Sequence, residues 1–275
     1  MPVIHHAKIA PSGLDRYTKC PASPKASEGY PSSSSDASRI GSVVHEMNEM
    51  RLQGRFKGVD FKEYWLGREV EFEGHTVKVD AEMIEASNLY CEYVVQRKNE
   101  EEKSKLYIEE RLDGHEIHPD LWGTTDILIV QKNKIIIIDY KNGKYPVEVE
   151  NNLQLRAYAL MALSKYSEKT KVEMVIVQPR AWHKDGPIRS TEISSENLVN
   201  WAFDWLKPKI DACFEDEPVF VAGDHCVFCP HKLNCDTHKE YLLSEEYIER
   251  KKQRTKRAIY NLSLIHISEP TRQLC

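Results

Sequence analysis

The chain has 275 residues, of which 41% are hydrophobic and 29% charged, a balance typical of a globular protein that buries a sizeable core. Glycine and proline number only 12 and 13, which excludes a collagen-like or low-complexity chain. Lysine and arginine number 38 against 43 aspartates and glutamates, so the net charge of −5 excludes a uniformly basic nucleic-acid coat but permits a local basic groove.

The sequence predicts a cytoplasmic location. No stretch is long and apolar enough to span a bilayer, and the first residues lack the basic and apolar segments of a secretory signal. Thiols stay reduced in the cytoplasm, so the 7 cysteines require a role other than a disulfide framework. Three of them are closely spaced, at Cys226, Cys229 and Cys235.

Helical and hairpin patterns occupy the first hundred residues. Apolar residues recur at helical spacing in two stretches, and a short alternating stretch between them indicates a hairpin. The N-terminal residues have few apolar repeats, which predicts an irregular arm. In chain order, we expect this arm over 1–36 with a short helix near Ser12–Cys20, a helix over Ala37–Leu52, a hairpin over 69–79 around Glu73-Gly74, and a long helix over 80–103.

A strand-rich block follows, and its third strand contains four consecutive isoleucines, Ile135–Ile138, which is typical of a strand buried on both faces. Three strands, a helix, a strand and a helix in succession predict a mixed α/β fold, with a central mixed sheet flanked by helices. We expect the core unit to span 37–215 and a Cys-rich helical lobe to span 216–261. The predicted strands are 106–112, 125–131, 134–140 and 172–178, and the predicted helices are 152–166 and 195–214.

The last residues have a different character. The string LSLIHISEPTR, Leu262–Arg272, resembles the translation of a sequencing adapter. We therefore expect residues 262–275 to be a non-native tail and the natural reading frame to be cut short near Asn261, and we assign no role to Cys275.

Two acidic residues and a lysine lie near the ends of the second and third strands of the block. Asp139 and Lys141 are two residues apart and therefore face the same side of a strand. If the two strands pair as a hairpin, Asp126 converges on them. Neighbouring carboxylates hold Mg²⁺ or Mn²⁺ through hard oxygen ligands, and a lysine can stabilise charge on a phosphate oxygen. This set is typical of a metal-dependent phosphodiesterase.

The Asp-x-Lys triplet is a weak signal by itself. About one such triplet is expected by chance in a chain of this composition, most often as a solvated charge pair at a strand end. Burial strengthens the signal here, because a carboxylate directly after Ile135–Ile138 loses its hydration unless it is paired or binds a metal.

Four sequence motifs together resemble the PD-(D/E)XK nucleases of the RecB-like branch. Their order matches that branch, which also has a helical histidine before the core; the third motif has Asp139 where many relatives have Glu. The motifs are Gly41-Ser-Val-Val-His45-Glu46, Gly123-x-x-Asp126, Asp139-x-Lys141 and Gln154-x-x-x-Tyr158. Further short motifs resemble a phage and prophage family of that branch over residues 8 to about 240: Pro11-Ser12 with Arg16 and Cys20-Pro21, Gln178-Pro179-Arg180, and Ala222-Gly223-Asp224-His225-Cys226. The resemblance implies a restriction-endonuclease-like core.

The resemblance also implies a role for each motif residue. Lys141 is the catalytic lysine, and Gln154 and Tyr158 contact the DNA backbone or support the site, since they lie on one helix face. The implied ligands of Mg²⁺ or Mn²⁺ are His45, Asp126, Asp139 and the carbonyl group of Tyr140.

The cysteine pattern, Cys226-x-x-Cys229-x₅-Cys235, lacks one ligand for a closed four-thiolate site, and Cys20 is the candidate. One cysteine before the core and three after it resemble the iron–sulfur staple of AddB-type helicase-nucleases and CRISPR-associated RecB-like exonucleases. That resemblance implies a [4Fe–4S] cluster. Zinc is the alternative, with three cysteines and one histidine as ligands. The candidate histidines are His225, His231 and His238.

DNA binding by an acidic chain requires a local positive surface. Lys144 and Arg180 are the expected DNA contacts, together with Gln154 and Tyr158. Ordinary solvated strand-end lysines remain an alternative. Further cations expected near the site are Lys132, Lys134, Arg156, Lys184 and Arg189, and the basic run over 250–257 is another candidate contact.

The function that these patterns favour is a metal-dependent DNA exonuclease acting in phage recombination, replication or repair. DNA is the expected partner, with a phage single-strand annealing protein or a helicase as a candidate protein partner. A catalytically silent DNA-end-binding scaffold of the same fold and an RNA-processing hydrolase are the alternatives. The intact set of Asp126, Asp139 and Lys141 argues against the silent scaffold.

Overall fold

The computed structural model describes residues 7–30 and 35–267. The serine-rich end of the predicted arm, and the predicted non-native tail from residue 268 onward, lie outside the described residues. Among the helices that are described, none is long and apolar enough to cross a membrane.

The region before the sheet contains helices and one hairpin, as the spacing predicts. Side-chain caps set the starts of the two long helices, because Ser35 accepts from the Ser38 N–H and Asp80 accepts from the Met83 N–H. The elements are α1 (Leu14–Tyr17), α2 (Ser23–Ala26), α3 (Asp36–Leu52), α4 (Phe61–Trp65), β1 (Glu69–Phe72), β2 (His75–Lys78) and α5 (Ala81–Asn99).

A five-stranded mixed sheet forms the centre of the fold. Its strands are β3 (Lys105–Asp113), β4 (Trp122–Val130), β5 (Lys134–Tyr140), β6 (Lys171–Val177) and β7 (Ile188–Ser194), adjacent in that order. Strands β3, β4 and β5 form an antiparallel meander, β5 and β6 are parallel, and β7 is antiparallel to β6. The predicted hairpin between β4 and β5 is therefore confirmed, and β7 is a strand that the sequence patterns missed.

Helices flank the sheet, and the parallel pair is joined by α6 (Leu153–Lys165), as a parallel connection requires. The predicted helix over 195–214 is present in segments: α7 (Ser195–Trp201) and α8 (Lys207–Asp211) flank a π-helical turn at Ala202–Leu206. Pro208 explains the turn, because it has no N–H to donate and its ring crowds the preceding turn. The C-terminal lobe contains α9 (Asp236–Leu243) and α10 (Glu245–Ile267).

Two hydrophobic cores lie on opposite faces of the sheet, and the isoleucine run supplies both. Ile135 and Ile137 pack with α6 and α7, whereas Ile136 and Ile138 pack with α3 and α5. Strand alternation accounts for this division, since successive side chains point to opposite faces. The expected mixed α/β fold, with a restriction-endonuclease-like core and helices on both sides of the sheet, is present.

The N-terminal arm packs into the α6-facing core and also contacts the C-terminal lobe. Ile9 and Leu14 are fully buried in that core. Arg16 donates to the Phe228 carbonyl oxygen at 2.7 Å, and the Ala22 N–H donates to the Val219 carbonyl oxygen at 3.1 Å. The two ends of the described chain are therefore joined by polar contacts.

Candidate active site and cysteine cluster

Asp126 joins β4 to β5 through its side chain. The β4–β5 ladder runs as far as the pair Ile127 and Ile138, and the next hydrogen bond is made by a carboxylate: Asp126 Oδ2 accepts from the Tyr140 N–H at 2.8 Å. Asp126 is thus fixed directly beside Asp139, which occupies the opposite position on β5. The convergence expected from the hairpin is present in the structure.

Asp139 is buried, with 3% of its surface exposed. Its Oδ1 accepts from Gln154 Nε2 at 3.0 Å. Lys141 Nζ forms an ion pair with its Oδ2 at 2.9 Å. Burial raises the pKa of Asp139, and Asp126 raises it further, against the opposing effect of Lys141. The site therefore holds a desolvated carboxylate that is fixed by Gln154 and Lys141.

Lys141 is held between the carboxylate and an amide. Its ammonium group donates to Gln154 Oε1 at 2.8 Å. Burial acts to lower the pKa of Lys141, but the charges of Asp139 and Asp126 outweigh burial and raise it. An ammonium group has three donors, so a donor beyond these two contacts can face a substrate.

Helix α6 positions Gln154 and Tyr158. The helix starts where Asn152 Oδ1 caps the Leu155 N–H at 3.1 Å, which places Gln154 in the first turn beside β5. Tyr158 is one turn further and is buried. Burial, and next the charges of Asp139 and Asp126, raise the pKa of Tyr158. Its phenol therefore stays protonated in the negative field of the two carboxylates.

Gly123 makes room for this arrangement. A Cβ atom at position 123 would lie 2.9 Å from Pro11 Cδ and 3.2 Å from Tyr158 Cε1, both closer than ordinary van der Waals contact. The glycine of the Gly123-x-x-Asp126 motif thus allows the N-terminal arm and the Tyr158 ring to approach β4 from one side.

His45 reaches the site from α3. Its Nδ1 lies 3.5 Å from Asp126 Oδ2, and its ring packs edge-on against Tyr140, with centroids 5.3 Å apart. Gly41, one turn earlier, brings the helix close to the strand, because a Cβ atom there would lie 3.3 Å from Asn142 Cβ. The sequence patterns predicted this histidine correctly as a neighbour of Asp126.

Glu109 is a candidate ligand that the sequence patterns missed. Ligand atoms of His45, Glu109 and Asp126 all lie within 4.8 Å of one another. Glu109 lies across from Asp126 in the β3–β4 register, with φ of 50°, a left-handed conformation that is unusual for a non-glycine residue in a strand. Partial burial of its carboxyl group, then the charge of Asp126, raise the pKa of Glu109 to about 7, against the opposing effect of His45. Only the β3–β4 register could have revealed it.

The residues present fit a divalent ion. Hard divalent cations prefer carboxylate oxygens, and ligand atoms of His45, Glu109 and Asp126 form one group beside Asp139. Asp139 is not part of the 4.8 Å group, since its carboxylate contacts Gln154 and Lys141. The Tyr140 carbonyl oxygen stays a predicted ligand.

The four predicted cluster cysteines meet between the N-terminal arm and the C-terminal lobe. Cys20, Cys226, Cys229 and Cys235 line one small cavity, and all are free thiols. Cys20 Sγ accepts from the Val221 N–H and Cys226 Sγ from the Gly223 N–H, each at 3.4 Å. Cys20 is some two hundred residues from the other three cysteines in the chain, and the fold brings all four into one pocket.

The histidines around this cavity are less available than the thiols. His225 Nε2 donates to the Val221 carbonyl oxygen at 2.9 Å, and His231 Nδ1 shares a hydrogen bond with the Tyr30 hydroxyl at 3.0 Å. His238 Nδ1 is buried and has no hydrogen-bond partner in the described part of the chain. A Cys₃His arrangement would thus depend on His238.

The expected cations are spread over the molecule. Lys144 is exposed four residues after β5, close to the site. Arg180 is 13% exposed and pairs with Glu82 at 2.8 Å, so its guanidinium group is turned to the protein. The expectation that Lys134 lies near the site is wrong, because Lys134 begins β5 at the end opposite to Asp139 and pairs there with Glu173 at 2.6 Å. Contacts between these cations and DNA stay predictions.

Comparison with solved structures gives distant matches. A candidate exonuclease from Eubacterium rectale matches at a TM-score of 0.40 and 12% identity, with 84% of this chain and 86% of that chain covered. An alkaline exonuclease from Laribacter hongkongensis, LHK-Exo, matches at a TM-score of 0.29 and 15% identity, with 74% of this chain and 90% of that chain covered. The complex of LHK-Exo with dAMP matches at a TM-score of 0.31 and 14% identity, with 73% of this chain and 90% of that chain covered. At these TM-scores and identities, the matches assign no activity to this chain. A family model covers nearly the whole sequence, residues 6–271, and the chain belongs to that family, which is described as "Protein of unknown function (DUF2800)".

Proposed function

We propose that this protein is a metal-dependent nuclease that hydrolyses phosphodiester bonds of DNA, as an exonuclease acting at ends. The observation that carries the proposal is a pair of neighbouring carboxylates: Asp139, which is buried and paired with Lys141 at 2.9 Å, lies beside Asp126, whose oxygen belongs to one ligand group with His45 and Glu109. Acidic groups brought together in a partly desolvated site repel one another, and a divalent ion would offset that repulsion.

His45, Glu109, Asp126 and Asp139 would hold the ion. When bound, Mg²⁺ or Mn²⁺ supplies Lewis-acid stabilisation of the phosphate and lowers the pKa of the attacking water. Hydrolysis joins a water oxygen to phosphorus, breaks one P–O ester bond and leaves a proton on the released hydroxyl group.

The protein's own part is to position charge. The Lys141 ammonium group, fixed by Gln154 and Asp139, directs its remaining donor at a non-bridging phosphate oxygen and stabilises the charge that develops there. Gln154 keeps both charged groups in place through one donor and one acceptor.

The direct test compares cleavage of end-labelled linear DNA with that of closed circular DNA, in Mg²⁺ or Mn²⁺ and with EDTA. We expect metal-dependent digestion of the linear DNA from its ends and a loss of activity of about 10²–10³-fold in Asp139→Ala, the range seen when one electrostatic group is removed from an active site. The control is Asp216→Ala, an exposed aspartate outside the site, which should retain activity. Cleavage that survives EDTA or the Asp139→Ala substitution would contradict the proposal.

The same assay separates the alternatives. Binding of DNA ends without cleavage would favour a silent scaffold, and preferential cleavage of labelled RNA would favour an RNA-processing hydrolase. A role in phage or prophage recombination, replication or repair, beside an annealing protein or a helicase, is part of the proposal for the active enzyme.

We infer that Cys20, Cys226, Cys229 and Cys235 hold a [4Fe–4S] cluster. Four free thiols line one cavity, and four thiolates are the ligand set that a [4Fe–4S] cluster takes. N–H donors to two of the sulfurs also suit iron–sulfur ligation. Anaerobically purified protein should contain iron and acid-labile sulfide; zinc without sulfide would contradict the inference.

A further inference from the structure

Two large aromatic side chains are almost fully exposed beside the candidate active site. Tyr145 is 90% exposed in the loop after β5 (loop A, residues 141–152), and Trp182 is 84% exposed in the loop after β6 (loop B, residues 178–187). Single exposed apolar residues are ordinary, but here two large exposed rings are carried by neighbouring loops that follow adjacent strands at the same edge of the sheet.

The two loops form one hydrogen-bonded unit. Gln178, at the start of loop B, is fully buried, and its amide donates to the carbonyl oxygens of Gly143 and Tyr145, each at 2.8 Å. Its Oε1 accepts from the Val147 N–H at 2.9 Å and from Arg189 at 2.7 Å. All four hydrogen-bonding positions of the Gln178 amide are therefore used: three fix loop A against loop B, and the fourth is taken by Arg189 of β7.

Proline residues restrict both loops further. Pro146 follows Tyr145 directly and limits its backbone to extended conformations. Pro179 and Pro187 flank the segment that contains Trp182. The rings are thus presented to solvent by backbone that has little freedom to fold them back, and ordering on binding costs little free energy.

The rings lie within reach of a strand held at the site. Tyr145 is four residues from Lys141, so their Cα atoms are at most about 14 Å apart, which is about four nucleotides at duplex spacing. The Lys141 N–H donates to the Val177 carbonyl oxygen at 2.9 Å, so loop B begins beside loop A, with Trp182 five residues further. Lys144, next to Tyr145, is exposed and suits a phosphate group.

We propose that Tyr145 and Trp182 form a stacking platform for unpaired nucleobases of the DNA strand that enters the active site. The proposal rests on the proposed nuclease function and specifies its substrate: an end with unpaired bases. Base stacking gives these two exposed aromatic rings a role. Because every nucleobase has a flat face, such rings can bind unpaired bases of any DNA sequence.

The test measures binding of a labelled single-stranded oligodeoxynucleotide in EDTA, where metal-dependent cleavage cannot occur. Tyr145→Ala and Trp182→Ala should each weaken binding by about 5- to 150-fold, the range for loss of one base–aromatic stack. Trp182→Phe should retain most of the affinity. Nucleobase stacking should also quench the fluorescence of Trp182. This quenching should therefore be seen in the wild-type protein and be missing in Trp182→Phe.

Oligonucleotides with abasic positions near the end identify stacking as the cause. Abasic substitution should weaken binding by wild-type protein but add little to the loss in the Tyr145→Ala, Trp182→Ala double variant. The matched control is Phe228→Ala, which removes a ring that is 85% exposed in the C-terminal lobe and should leave binding unchanged. Equal abasic penalties in wild type and double variant, or unchanged binding by both single variants, would overturn the platform. This experiment measures binding and not cleavage. A negative result would therefore reject the stacking platform without rejecting the nuclease proposal, which is tested by the cleavage assay.

Discussion

Gln154 shows how one neutral side chain can organise a charged site. Its amide donates to Asp139 and accepts from Lys141, so it satisfies two opposite charges with one group. An amide does not titrate, and its two contacts therefore persist across the pH range in which carboxylates change charge. At the scale of single residues, Gln154 fixes the distance between the carboxylate and the ammonium group on which the proposed chemistry depends.

Lys141→Ala tests whether Lys141 acts in DNA cleavage and not in metal binding. The substitution removes the ammonium group but leaves His45, Glu109 and Asp126 in place. We expect Mn²⁺ binding, measured by calorimetry, to stay within about tenfold of wild type, while DNA cleavage falls by about 10²–10³-fold, typical for loss of one charge-stabilising donor. Cleavage at the wild-type rate would remove lysine from the mechanism.

Strand β5 shows what an apolar pattern does and does not predict. Its isoleucines belong to both cores, and the buried strand was predictable from them. Strand β7 was missed because its sequence, IRSTEIS, is polar and its alternation is weak; it pairs with β6 as an edge strand instead. Lys134 and Lys141 are close in sequence but lie at opposite ends of β5, which separates Lys134 from the site.

A buried ion pair links these elements and makes stability depend on pH. Glu173 of β6 pairs with Arg97 of α5 at 2.7 Å and with Lys134 of β5 at 2.6 Å. Burial acts to raise the pKa of Glu173, but the two cations outweigh it and lower the pKa below its usual value. A lowered folded-state pKa means that this stabilisation is present above the unfolded-state pKa, about 4.3, and is lost as pH falls through the folded-state value.

Glu173→Gln should therefore reduce the free energy of unfolding at pH 7 by about 3 kcal/mol, since it leaves two partly buried cations without a carboxylate. Urea denaturation between pH 7 and pH 3 should show the gap to wild type closing at the acid end. Glu192→Gln, which removes an exposed and more distant partner of Lys134, should have a smaller effect. A gap that stays constant with pH would exclude the ion pair as its source.

At the scale of the whole molecule, the cysteine pocket joins the ends of the described chain. Cys20 belongs to the arm and the other three cysteines to the C-terminal lobe, and each side also contacts the other through Arg16 and the Phe228 carbonyl oxygen. A ligand held by all four thiols would close a loop of some two hundred residues, which stabilises the folded state chiefly by restricting the unfolded chain.

Cys229→Ser should accordingly act through stability. We expect lower iron and sulfide content and a lower melting temperature, with any loss of cleavage following from unfolding. Cys91→Ser is the control, because Cys91 is a buried thiol of α5 outside the pocket and its substitution should leave the iron content unchanged. An unchanged melting temperature in Cys229→Ser would contradict a stabilising cluster.

The sequence by itself determined most of the helices and strands, and it predicted most residues of the candidate site. Periodicity predicted α3, α5, α6 and β5, because burial on one face or both dictates where apolar residues recur. Motif order predicted that His45, Asp126, Asp139, Lys141 and Gln154 belong together. In the structure His45 lies beside Asp126, and Asp139 contacts Lys141 and Gln154, whereas their roles stay predictions.

Only the tertiary structure decided which residues face the site across strands and loops. Glu109 joins His45 and Asp126 through the register of β3 against β4, and the two loops that carry Tyr145 and Trp182 are joined by the hydrogen bonds of Gln178. Neither fact has a local signature, since register and loop packing arise from contacts between segments far apart in sequence. Local sequence patterns specify whether a segment forms a helix or a strand, whereas long-range packing specifies which residues that segment contacts.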